Sequence, residues 1–73
     1  MDNRVAASLI DSTASITEVQ YAGAPHFKVS GVFANGTDAY ETAPWTTGLF
    51  LTQERAWNGA VELLSARNSG RFN

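Results

Sequence analysis

Val5, Ala6, Leu9 and Ile10 stand at i, i+1, i+4 and i+5. That spacing gathers them on one face of a short helix over about residues 3–12, with Asp2 or Asn3 as N-cap. An irregular arm is the competing expectation for the same stretch. From Ile16 the period shortens towards two. Ile16-Thr17-Glu18-Val19-Gln20-Tyr21 is rich in β-formers, predicting a strand over 16–21 that ends at the turn residues Ala22-Gly23-Ala24-Pro25. A second strand, 26–34, puts Phe27, Val29 and Phe33 on one face and His26, Lys28 and Ser30 on the other.

Asn35-Gly36 is the sharpest local signal, because a type I′ turn needs positive φ at both central residues. With these two at its centre, a third strand runs over 37–43, Val32 faces Ala39, Gly31 faces Tyr40 and Val29 faces Thr42. Tyr40 then covers the gap left by the missing side chain of Gly31. Lys28 and Glu41 lie diagonally on the outer face, a weak solvated pair. Pro44, without an amide hydrogen, ends this ladder. The stretch Pro44-Trp45-Thr46-Thr47-Gly48-Leu49-Phe50-Leu51 is apolar without a clean period.

A second helix is expected over 52–67. Thr52 serves as N-cap, Glu54 sits favourably in the first turn, and Asn68-Ser69-Gly70 stops it beyond Arg67. Ala56, Trp57, Ala60, Val61 and Leu64 form its apolar stripe, with Leu63 on the flank. Gly59 inside a helix costs about 1 kcal/mol relative to Ala, which points to close approach of another backbone at that position. The fold class is α+β: a three-stranded antiparallel meander with the C-terminal helix across one face and a short N-terminal helix.

Size sharpens this picture. Seventy-three residues make one small domain, residues 1–73, that buries only about 60% of its unfolded surface. With no cysteine and a single histidine, neither disulfides nor a thiolate or histidine-rich metal site staples it, and no cofactor is expected. Self-association or a partner commonly supplies the missing stability in such scaffolds, so a homodimer or a subunit of something larger is expected. No apolar run reaches the length of a membrane span or a secretory core, giving the expectation of a soluble, cytoplasmic protein. The net charge of −2 is spread along the chain, without the basic stripe of a nucleic-acid binder or the dense acidic array of a DNA mimic.

Catalytic chemistry finds little support. Paired-carboxylate hydrolysis needs two acids across a cleft, whereas Glu18, Asp38 and Glu41 fall on or beside exposed strand faces. No phosphate loop, nucleophile elbow or metal-ligand cluster is present, so no enzyme is expected. Trp45, Leu49, Phe50 and Leu51 are more informative, and Trp45, Leu49 and Phe50 are the expected patch. Whatever part of this group is not needed in the core forms an apolar anchor for a protein partner, with Lys28, Glu41 and Arg55 as rim charges. For Trp45 the core and interface readings weigh equally, while Phe50 and Trp57 belong more naturally inside. The free edges of the first and third strands offer a second route to a partner.

Gly23-Ala24-Pro25-His26-Phe27-Lys28-Val29, then Asn35-Gly36, then a helix bearing Ala56, Ala60 and Leu63 or Leu64, resembles the double-stranded-RNA-binding domain over roughly residues 3–68. The resemblance implies α-β-β-β-α order and a role for His26 in reaching an RNA minor groove from the loop between the first two strands. It also implies phosphate-gripping lysines at the start of the second helix. There this chain has Thr52-Gln53-Glu54-Arg55-Ala56-Trp57, with Arg55 as the lone cation, and its connection from Asn-Gly to the helix is longer than the family's. Members lacking the lysines typically mediate protein contacts.

The leading expectation is therefore a non-catalytic protein–protein interaction module, of the kind formed by small phage or viral accessory proteins that inhibit a host defence complex. The alternative is a module for structured RNA using His26, Lys28, Arg4 and Arg55.

Overall fold

The computed structural model describes residues 3–34 and 42–68. Its elements are α1 (Asn3–Ile10), β1 (Ser15–Tyr21), β2 (Ala24–Ala34), β3 (Thr42–Thr46) and α2 (Gln53–Asn68). They form an α+β fold whose three strands make one antiparallel sheet in the order β1-β2-β3. Val29 from the sheet, Trp45 from β3, Ala7 from α1 and Ala56, Trp57, Ala60 and Leu64 from α2 form the buried core. Both helices therefore lie over one face of the sheet and leave the other open.

α2 follows its sequence closely. The Thr52 hydroxyl accepts the Arg55 amide at 3.1 Å, and the Thr52 carbonyl accepts the Ala56 amide at 3.1 Å, so Thr52 caps the helix. The predicted stripe faces inward. α1 is rotated from its expected face: Ala7 is buried, Asn3, Ala6 and Ile10 are half-buried, while Val5 and Leu9 are 46% and 76% exposed. Ala7 and Ile10 pack against the core, and this short helix packs chiefly against α2.

The tight hairpin of this sheet falls at Ala22-Gly23. These residues have φ of 53° and 78° and join Tyr21 to its partner Ala24, the two-residue geometry whose twist matches the strands. Ala22 adopts the left-handed region despite its Cβ. β2 accordingly begins at Ala24 and takes in Pro25 and His26.

The third strand differs from expectation. Asn35-Gly36 and Tyr40 lie outside the described residues, but the register that turn implied is not the one formed. Gly31 pairs with Trp45, Val32 with Pro44 and Ala34 with Thr42, and Thr46 pairs with Ser30. Pro44 thus lies within the ladder instead of ending it. The Thr47 amide donates to the Val29 carbonyl at 2.9 Å, so by alternation the position of Pro44 turns away from β2 and its missing hydrogen takes nothing from the sheet.

Beyond Thr46 the strand bulges. Between the pairs Ser30–Thr46 and Phe27–Phe50, β2 advances by three residues and its neighbour by four. At this point the Thr47 hydroxyl accepts the Val29 amide at 3.0 Å, in place of a backbone carbonyl. Phe50 then re-enters the ladder by exchanging both backbone bonds with Phe27, at 2.7 and 2.8 Å.

Candidate functional site

Two local arrangements decide which side chains remain for function. The first is centred on Asp11, a carboxylate only 7% exposed just past α1. Its amide donates to the Ala7 carbonyl at 2.9 Å, closing the helix. Oδ1 accepts the Thr13 amide at 2.9 Å and the Thr13 hydroxyl at 2.8 Å, and Oδ2 accepts the indole Nε1–H of Trp45 on β3. The Thr13 hydroxyl in turn accepts the Val32 amide at 2.6 Å, extending the β1 side of the ladder past its last backbone pair. Burial raises the Asp11 carboxyl, but the Thr13 amide, the Trp45 indole and the Thr13 hydroxyl more than offset it and hold it below the ordinary carboxylate value. Above Gly31, an added Cβ would meet Thr13 Oγ1 at 2.6 Å and Trp45 Cζ2 at 2.8 Å. The cover expected from Tyr40 comes from Trp45.

The second arrangement is the passage from the bulge into α2. Phe50 is half-buried, its ring lying where a Cβ on Gly59 would stand, 2.8 Å from Cζ. It is this ring, and not the backbone of the sheet, that requires glycine in α2. On either side of Phe50, Leu49 and Leu51 are 40% and 61% exposed. Beside them an open depression is lined by Thr46, Thr47, Gly48, Phe50, Gly59, Glu62 and Leu63.

The expected anchor of Trp45, Leu49 and Phe50 is divided by this geometry. Trp45 is 6% exposed and bonded to Asp11, so it belongs to the core. Leu49 stays on the surface and Leu51 joins it, while Leu63 is half-buried against the core. Arg55 is exposed in the first turn of α2; Glu41 lies outside the described residues. Lys28 is on the open sheet face, away from Leu49 and Phe50.

The four residues of the RNA reading also separate. His26 and Lys28 alternate onto the open face of the sheet, whereas Arg4 and Arg55 are on the helices over the opposite face. His26 sits within β2 and not in a loop. Its Nδ1 donates to the Ala24 carbonyl at 3.0 Å, and its ring meets Tyr21 edge to face at 5.4 Å. By strand alternation the described carboxylates, Asp11, Glu18, Glu54 and Glu62, are all absent from that face.

Among the described residues no group of His, Asp or Glu is placed to hold a metal ion, and no helix is long and apolar enough to cross a membrane. The class defined is a small α+β domain with one helix-covered and one open sheet face. The chain matches no family profile, no curated protein and no solved structure.

Proposed function

We propose that this domain is a non-catalytic protein-binding module and that its docking surface is the passage from β3 into α2. The observation that carries the reading is the exposure of Leu49 and Leu51 on either side of an anchored Phe50. Paired backbone bonds to Phe27 and the ring's contact with Gly59 fix Phe50, so the flanking leucines are presented by a braced segment. A backbone already fixed in place loses little freedom on binding, and two exposed leucines beside a shallow depression offer apolar area for a partner to cover. Arg55 and Glu62 supply charge at the margin.

The test is affinity capture from a lysate of the source cell with the native chain and with Leu49→Asp/Leu51→Asp. Both side chains are solvent-facing, so the variant keeps native far-ultraviolet circular dichroism. The reading expects a stoichiometric protein partner that the native chain retains and the folded variant loses. Equal retention by both, or no retained protein at any salt concentration, contradicts it.

A structured-RNA module is the second reading, favoured by one observation: the open face carries His26 and Lys28 without a described carboxylate. It expects a gel-shift complex at low salt that weakens steeply as salt rises. No complex at low salt removes it.

A further inference from the structure

The two edges of the sheet are protected very differently. β3 is five residues long, carries Pro44 with its nitrogen turned outward, and runs into a bulge. These are three of the devices that keep an edge from pairing with another chain. β1 has none of them. It is seven regular residues without proline, glycine or lysine, and its one charge, Glu18, already accepts Gln20 Nε2 at 3.0 Å. Since Ser15, Thr17, Val19 and Tyr21 direct their backbone groups to β2, Ile16, Glu18 and Gln20 direct theirs outward.

We infer that β1 pairs antiparallel with β1 of a second copy, about a two-fold axis at Val19, joining the two three-stranded sheets into one. The strand is self-complementary in this register. Glu18 and Gln20 form the hydrogen-bonded pairs, each carboxylate facing an amide of the partner, so the polar pair already present within one strand becomes a four-membered ladder. On the open face Val19 meets its own copy, and Thr17 lies opposite Tyr21, which is 59% exposed in the single chain. Shifting the axis to Glu18 sets the two carboxylates directly opposite each other. Shifting it to Thr17 sets Glu18 against Ile16. Among these three axes, charge and polarity select Val19. A second copy is the occupant because this pairing matches the strand to itself, residue by residue. The surface is independent of the one carrying Leu49 and Leu51, which lies on the β3 side of the sheet.

The natural chain contains no cysteine, so single-cysteine variants report the axis directly. Opposite residues of a non-hydrogen-bonded pair bring their Cα atoms to about 4.5 Å, within disulfide range. Under mild oxidation Val19→Cys is expected to form a disulfide dimer on the order of tenfold faster than Thr17→Cys or Glu18→Cys, which this axis holds apart. Sedimentation of the unmodified chain should give twice the 7.9 kDa monomer mass, and Val19→Lys should sediment as a folded monomer. A native chain that remains monomeric from micromolar to millimolar concentration overturns the inference. So does fastest crosslinking at Thr17→Cys or Glu18→Cys, or the absence of any preference. If Val19→Lys fails to fold, the cysteine series and the native mass still decide.

Discussion

Asp11 joins three parts of the molecule: the end of α1, the Thr13 turn that extends the sheet, and Trp45 on β3. Removing its carboxylate leaves the buried Trp45 indole without an acceptor and takes a partner from the exposed Thr13. Asp11→Ala is expected to cost about 3 kcal/mol in urea unfolding, the scale set by buried donors losing a charged partner. Because the folded-state value is depressed, the carboxylate's contribution is complete above the unfolded value near pH 4. It is lost as pH falls through the lower folded value. Native stability should therefore decline over that acid window, whereas Asp11→Asn removes this component of the decline. A native chain and Asp11→Asn with parallel pH–stability curves would deny Asp11 this role. The sequence did not disclose the group, since Asp11 and Trp45 are 34 positions apart. An aspartate after a helix reads as solvated until its distant partner is known.

At the scale of elements, legibility follows how local the determining interactions are. α2 was readable because its cap, stripe and dipole-compatible Glu54 all lie within one stretch of chain. The alternation of β2 was readable for the same reason. β3 was not, because the strong local signal of Asn35-Gly36 implied a register in which Gly31 faced Tyr40, whereas Gly31 pairs with Trp45. What selects the observed register is tertiary: an indole that fills the gap over Gly31 and reaches Asp11. The two closely packed glycines test this. Gly31→Ala pushes a Cβ against both Thr13 and Trp45 and should cost about 3 kcal/mol, the upper range for overpacking. Gly59→Ala meets only the Phe50 ring, and a gain of about 1 kcal/mol in helix propensity partly offsets the contact, so its loss should be clearly smaller. Equal losses in denaturant titrations would show that Gly31 is not the tighter constraint.

For the whole molecule, the register determines which surface is available. Pairing Trp45 with Gly31 takes the indole into the core, bulges the chain at Thr47 and Gly48, and leaves Leu49 and Leu51 outside a braced Phe50. It also places a proline and a bulge on the β3 edge while β1 stays regular. Of the expected site, the apolar run after Pro44 was found from sequence, but its division into inside and outside depended on a pairing with no local signature. The proposed docking surface at Leu49 and Leu51 rests on this register. Nuclear Overhauser contacts around Gly31 test it most directly. Strong cross-peaks from the Gly31 α-protons to the indole ring of Trp45, with an indole Nε1–H resonance that shifts as Asp11 titrates, are the predicted result. Cross-peaks from those α-protons to the ring of Tyr40 would contradict it.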